Sequence, residues 1–204
     1  MSASGSDPGH DPTLPLWRAA QVFRLLSFGY AAGFQIVSYD ELTRPGPSWL
    51  LFAVLAGWSA ACGLAYLRGF GRRRAWVIAE FVVVALLILS TRLVASGQWI
   101  AENQSLPTTL WATNATISAA ILAGPVVGML TGGAVIAVYA SLKGYVSFDL
   151  ARNATLVIEL AVGLAVGMAA QTARRAHAEL ERAARLSAAV TESSGTGGPG
   201  TLTT

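Results

Sequence analysis

The chain has one cysteine, few charged residues and no basic residue near its start, and each shortage excludes a class of protein. Because Cys62 is the only cysteine, neither an intrachain disulfide nor a cysteine metal cluster can form. Charged residues make up 12% of the chain, against about 25% in ordinary soluble domains. The segment MSASGSDPGHDPTL lacks the Lys and Arg of a signal peptide. It predicts a disordered cytoplasmic tail over residues 1–14.

Long apolar runs separated by short polar breaks make up most of the sequence. Hydrophobic residues account for 53% of it, and a helix needs about 20 such residues to cross about 30 Å of hydrocarbon. The runs predict an all-α integral membrane protein with six transmembrane helices over residues 15–172. The predicted helices cover about 15–39, 47–67, 75–94, 107–127, 133–148 and 153–172.

The apolar stretch from Leu106 to Phe148 is too long for one crossing. Its ~43 residues would form a helix of about 64 Å, so the chain must turn back within it. Clustered glycines permit tight backbone geometry, and they occur in GMLTGG at 128–133. The sequence therefore predicts a helical hairpin at 128–133.

Arginines indicate how the predicted helices are oriented. Six crossings place both termini on one side, and Lys and Arg are enriched in cytoplasmic loops. The segment RGFGRRR at 68–74 falls on the same face as the pair at 174–175, and it suits anionic lipid as well. Its arginines are Arg68, Arg72, Arg73 and Arg74. We expect cytoplasmic N- and C-termini in a multi-pass plasma-membrane protein, with Arg18 and Arg24 reaching the same interface.

The sequence QTARRAHAELERAARL at 171–186 predicts a cytoplasmic signalling helix over 173–190, followed by a disordered tail over 191–204. Ala176, Leu180 and Ala183 follow the a/d spacing of a two-stranded coiled coil. Gly163 and Gly167 form a GxxxG spacing, which permits close helix contact. We expect a homodimer through the sixth helix and residues 173–190.

Ionisable residues inside the predicted helices are the candidate site residues, because a charge at mid-membrane costs about 2.5–3.5 kcal/mol. Arg92 and Glu159 fall at similar depths near the outer face. They predict either a structural ion pair or, with Asn114 and Trp111, an outward-open pocket for a ligand or lipid. Glu80 lies about 7 Å from the inner face, where it could pair with the arginines at 72–74 or contribute to sensing.

Other polar residues point to packing rather than chemistry. Thr113, Asn114 and Thr116 open the fourth predicted helix, where such side chains hydrogen-bond to neighbouring helices. The sequence has no phosphate-binding loop, zinc-protease motif or nucleophile elbow. We therefore expect no catalytic residues, cofactor, metal or nucleic-acid partner, and no enzymatic activity of this chain alone.

Several segments in order resemble a known family. They are LWRAAQVFRLLSFGYA, RPGPSW, WSAACGLAY, SLPTTLW, GMLTGG and TARRAHAELERAARL. Over about residues 15–188 the chain resembles the N-terminal membrane region of actinobacterial MacS-family sensor histidine kinases. The resemblance implies a six-helix sensor of an extracellular or intramembrane cue, which signals through the sixth helix.

The sequence departs from those kinases after the signalling helix. His177 is followed by Ala178 and lacks the neighbouring acid of the family's phosphoacceptor, and the ATP-binding boxes are missing. The partner would then be a separate kinase core or a response regulator. The alternative is a small transporter or permease-like protein, which would place ionisable residues near the midplane.

Overall fold

Helices account for all the regular structure that the computed structural model describes, which covers residues 11–102, 106–143 and 154–195. The helices in these ranges are α1 (Leu14–Val37), α2 (Pro45–Leu67), α3 (Arg74–Ser90), α4 (Gly97–Glu102), α5 (Thr109–Ala123), α6 (Pro125–Lys143) and α7 (Ala154–Gly195). Short 3₁₀ turns at Tyr39–Glu41 and Thr91–Leu93 follow α1 and α3. The expected all-α fold is confirmed.

Four helical stretches are long and apolar enough to cross a membrane. They are Pro45–Leu67, Arg74–Leu93, Pro125–Lys143 and Val157–Ser187. Thr109–Ala123 is apolar but shorter, and polar side chains interrupt the apolar sequence of α1. The described chain thus contains four candidate spans, against the six crossings that the sequence predicts.

Helix α1 carries its polar side chains inside the molecule and its apolar side chains outside. Arg24, Ser27 and Gln35 are buried, whereas Leu25 and Val37 are 72% and 81% exposed. A surface helix of a water-soluble protein has the opposite arrangement. Lipid would cover the exposed aliphatic side chains, and neighbouring helices supply partners for the buried polar ones.

Helix α5 lies at the centre of the bundle. Every residue from Trp111 to Ile121 is buried, and α5 contacts α1, α3, α6 and α7. Its sequence, TLWATNATISAAILA, is rich in small residues, so neighbouring helices can approach it from several sides. Its polar residues therefore face other helices rather than lipid or water.

The turn between α5 and α6 lies at Gly124 and Pro125, so the hairpin predicted at 128–133 is wrong. Gly124 has a φ of 90°, a left-handed conformation that glycine adopts without steric cost. Pro125 begins α6, where the missing N–H of proline costs no hydrogen bond. The predicted helices 107–127 and 133–148 are corrected to Thr109–Ala123 and Pro125–Lys143, and residues 144–148 lie outside the described residues.

Glycines hold α6 and α7 close together in antiparallel orientation. A Cβ atom added to Gly128 would lie 2.6 Å from the Gly163 carbonyl oxygen, and one added to Gly167 would lie 2.3 Å from Pro125 Cα. The GxxxG spacing of Gly163 and Gly167 therefore serves a contact within one chain. A second copy would have to contact α7 through other residues.

The helix predicted over 173–190 is the continuation of a helix of the bundle, because α7 runs without a break from Ala154 to Gly195. It includes the predicted helix 173–190 and extends beyond the predicted boundary at 191. At the other end, Asp11 and Thr13 are joined by hydrogen bonds before α1 begins, so the predicted disorder does not reach residue 14. Residues 1–10 and 196–204 lie outside the described residues.

Candidate functional site

Side chains of α5 form hydrogen bonds with three of the surrounding helices. Asn114 Nδ2 donates to Ser27 Oγ of α1 at 2.9 Å. Trp111 Nε1 donates to Ser59 Oγ of α2 at 2.8 Å. Thr113 Oγ1 donates to the carboxylate of Glu159 of α7. These contacts confirm that the polar cluster of the fourth predicted helix bonds across helices.

Glu159 joins α7 to α5. Its side chain is 2% exposed, and its two carboxylate oxygens accept hydrogen bonds from Thr113 Oγ1 and, at 2.9 Å, Thr116 Oγ1. Within the described ranges no cation pairs with this carboxylate. The ion pair predicted with Arg92 is therefore wrong. Two hydroxyl groups satisfy Glu159 instead.

Arg92 lies at the end of α6 instead. Its Nη2 donates to the carbonyl oxygens of Ser141 and Leu142, both at 2.7 Å, and its Nε donates to Leu142 at 3.2 Å. A cation suits this position because the carbonyl end of a helix carries partial negative charge. Arg92 thus ties the 3₁₀ turn after α3 to the C-terminus of α6.

Arg24 and Glu80 form a buried ion pair between α1 and α3. Arg24 Nη2 of α1 donates to Glu80 Oε1 of α3, and Nη1 donates to Gln21 Oε1 at 2.9 Å. The two residues are 6% and 3% exposed. Glu80 does not pair with the arginines at 72–74, and Arg24 does not reach the interface, so both expectations are corrected.

The arginines of the segment 68–74, called the arginine cluster below, lie at the end of the bundle where α7 leaves it. Trp17 of α1, Val77 of α3 and Ile121 of α5 pack together there, with Tyr66 and Val166 against them. Arg174 of α7 donates to the carbonyl oxygens of Ile121 and, at 3.1 Å, Leu122. Arg174 therefore fixes α7 to the C-terminus of α5 at the point where α7 leaves the bundle.

Within the cluster, Arg72 binds the segment before α1. Its Nη1 lies 2.9 Å from Asp11 Oδ2, and its guanidinium lies 5.4 Å from the centre of the Tyr66 ring. Partial burial would raise the pKa of Asp11, but hydrogen bonds from Thr13 and the charge of Arg72 lower it below 3.8. Arg68, Arg73 and Arg74 are exposed.

The outward-open pocket predicted from Arg92, Glu159, Asn114 and Trp111 stays a prediction. The last three are 2% exposed and bond to different helices around α5, and Arg92 is exposed at the end of α6. At the same end as Arg92, Gln35, Ser48, Thr91 and Trp99 line a cavity of about 40 Å³. A cavity of that size holds about one water molecule.

The predicted coiled-coil seam is exposed beyond the bundle. Ala176 and Ala183 are exposed, and Leu180 is 70% exposed. Ala170 is the last fully buried residue of α7 in the described ranges. The seam is thus open to a further helix.

A family model matches residues 12–181, described as a family of unknown function, DUF5931. The chain belongs to the DUF5931 family. No curated protein and no solved structure matches it. In this DUF5931 chain, the matched region contains all the polar contacts around α5, together with the first part of the helix beyond the bundle. The bundle and the start of that helix therefore belong to one family unit.

The described part of the DUF5931 chain holds no group of three or more His, Cys, Asp or Glu side chains suited to a metal. The buried polar side chains instead join helices. Sequence reasoning found Glu80, Trp111, Asn114 and Glu159 but missed their partners. A signal for two of those partners existed: Ala20, Arg24, Ser27 and Ala31 recur at steps of three and four and form the buried stripe of α1.

Proposed function

We propose that this DUF5931 chain is the membrane input module of a sensor histidine kinase system. It detects an extracellular or intramembrane cue and passes it through α7 to a cytoplasmic helix. The sequence resemblance to MacS-family kinases motivates this proposal. The kinase core or response regulator that receives the signal would belong to another segment or another chain, and this chain has no catalytic role of its own.

The proposal includes six crossings with both termini cytoplasmic. Four helices meet the length and apolarity of a span. α1 and α5 complete the six because their buried polar residues are satisfied by other helices, which lowers the cost of placing them in lipid. The exposed arginines lie at the end of the bundle where α7 leaves, and the positive-inside rule assigns that end to the cytoplasm of a plasma membrane.

The observation that carries the proposal is the continuity of α7. One helix begins among α5 and α6, binds α5 through Glu159, and extends past Arg174 to Gly195. A shift of α5 at the Glu159 contact would therefore move the exposed seam without passing through a flexible joint. This is the geometry that transmission along a helix requires.

The exposed seam fits a homodimer. Ala176, Leu180 and Ala183 lie on one face at the a/d positions. Glu181 lies on another face, where it binds His177 at 3.1 Å and Arg185 at 3.3 Å. In the proposed dimer, two copies of α7 lie side by side along this seam, and a cue alters their spacing.

Disulfide crosslinking in membranes tests the dimer. In a Cys62→Ala background, Leu180→Cys should crosslink two copies, whereas Arg185→Cys, on a different face of the same helix, should crosslink much less. Equal crosslinking at the two positions would contradict a dimer through this seam.

The transmission step needs a second measurement. Replacing Thr113 and Thr116 by valine removes both donors to Glu159, and it should change the rate of Leu180→Cys crosslinking. Thr131→Val is the matched control, because the Thr131 hydroxyl donates to the Val127 carbonyl of its own helix. An unchanged crosslinking rate in the double variant would contradict the proposed coupling between Glu159 and the seam. Uptake of a solute into proteoliposomes that contain the chain would favour the alternative, a transporter.

A further inference from the structure

Residues of α1 and α2 line a groove of about 530 Å³, and Tyr66 and Leu67 place one of its ends beside the arginine segment 68–74. That volume falls within the range of about 300–1,000 Å³ that is usual for small-molecule sites. On α1 the lining runs from Arg18 to Phe28, a distance of about 15 Å along the helix. The groove therefore runs from the end of the bundle toward its middle.

Small residues of α2 create the room. Ala56, Ala60 and Gly63 lie on the face of α2 that borders the groove. A Cβ atom on Gly63 would meet no heavy atom within 4 Å. Leu25 and Phe28 of α1 make the groove apolar toward the middle of the bundle.

The end of the groove nearest Arg18, which is its outer end, is basic. Arg18 and Arg24 line it, and no carboxylate does. Glu80 neutralises Arg24, but Arg18 is exposed and has no ion-pair partner in the ranges described. Gln21 adds an amide to this end and uses its oxygen for Arg24. A basic end joined to an apolar groove complements an anionic headgroup joined to an acyl chain.

We propose that the groove between α1 and α2 binds an anionic phospholipid of the bilayer. Its phosphate contacts Arg18 and the Gln21 amide, and one acyl chain lies along Leu25, Phe28 and Gly63. The positive charge at the outer end of the groove selects anionic over zwitterionic headgroups. One arginine near a membrane surface raises the affinity for anionic lipid by about fivefold. This site stands apart from the proposed signalling role and does not depend on it.

Lipid titration of the purified full chain, followed by native mass spectrometry, tests the site. Phosphatidylglycerol should bind more tightly than phosphatidylcholine with identical acyl chains. Arg18→Gln should weaken phosphatidylglycerol binding about fivefold and leave phosphatidylcholine binding unchanged. Gly63→Leu, which fills the groove, should weaken binding of both lipids.

Two matched variants serve as controls. Arg175→Gln removes an exposed arginine at the point where α7 leaves the bundle, and Gly57→Leu places leucine on α2 outside the groove lining, where a Cβ atom also meets nothing within 4 Å. Both should bind lipid like the unaltered chain. Equal binding of the two lipids, or equal effects of the Arg18 and Arg175 variants, would overturn the proposal. So would displacement of phosphatidylglycerol by glycerol 3-phosphate, which would indicate a site for a free phosphate.

Discussion

Arg24 and Glu80 are each buried and each charged, so each depends on the other. Removing one member of a buried pair leaves an uncompensated charge, which costs about 3–5 kcal/mol in proteins. Replacing both members by apolar residues of similar volume removes the charge and its desolvation cost together.

We therefore expect Glu80→Leu to lower the free energy of unfolding by about 3–5 kcal/mol. The double variant Arg24→Met/Glu80→Leu should recover most of that loss. Unfolding by sodium dodecyl sulfate in mixed micelles measures both. If the double variant is as unstable as Glu80→Leu, an unpaired buried charge is not the cause of the lost stability.

Asp11 gives a prediction about pH. Because its pKa in the folded chain is lowered, its bonds with Thr13 and Arg72 contribute stability above its ordinary pKa, and this contribution is lost as pH falls through the lowered pKa. At neutral pH, Asp11→Asn should cost less than about 1 kcal/mol, since solvent screens this partly exposed pair.

The difference in unfolding temperature between the unaltered chain and Asp11→Asn should vanish in acid. Thermal unfolding across a pH series measures it. A difference that stays constant down to the lowest pH would show that the Asp11 charge plays no part.

At the scale of single residues, the sequence predicted which side chains are polar and buried but not their partners. Hydropathy gives the depth of Glu80 along its own helix. It does not say that Arg24, which lies 56 positions away in the chain, belongs to a neighbouring helix at a compatible depth. Glu159 shows the same limit, because the nearest cation by depth was Arg92 and the actual partners are two hydroxyl groups.

Among the helices, the contact between α6 and α7 depends on residues without side chains. A methyl group on Gly167 would lie 2.3 Å from Pro125 Cα, a backbone atom that cannot move aside by rotating a side chain. A methyl group on Gly133 would meet nothing within 4 Å. Two glycines inside helices of the bundle thus have different structural roles.

Gly167→Ala should therefore destabilise the bundle by about 1–3 kcal/mol, the usual cost of overpacking. Gly133→Ala should be neutral or stabilising by up to about 1 kcal/mol, because alanine is the better helix former. Detergent unfolding of the two variants compares them directly. Equal stability would mean that α6 and α7 can separate without cost.

The position of the turn before α6 could have been predicted from the sequence. Gly-Pro is a strong signal for a turn, and Gly124 and Pro125 occur four residues before GMLTGG. Counting glycines favoured the wrong site, because Gly128 and Gly132 face α7 and support helix packing. The short helix α4 was not predicted at all, although Ile100 is 2% exposed and belongs to the core at that end.

For the whole molecule, the main prediction is the orientation of the two ends. In a Cys62→Ala background, a membrane-impermeant maleimide added to intact cells should label Gln98→Cys but not Arg73→Cys. Both should react after permeabilisation. Both side chains are exposed, so exposure alone does not separate them. Labelling of Arg73→Cys alone in intact cells would reverse the proposed orientation.

The all-helical architecture could be predicted from the sequence, because it consists of long apolar runs with polar residues at regular intervals. Such runs form helices whose aliphatic side chains are exposed and whose polar side chains are buried. The sequence could not predict the groove between α1 and α2. That groove lies between two helices, and the packing of two helices depends on contacts between distant parts of the chain.

The uninterrupted length of α7 makes it a lever. From Gly167, which contacts Pro125, to the end of the helix at Gly195 the distance is ~42 Å. If the glycine contact acts as a fulcrum, a tilt of about 5° at that point displaces the far end by about 4 Å. A displacement too small to disturb packing inside the bundle thus becomes, at the tip, comparable to the spacing between neighbouring side chains.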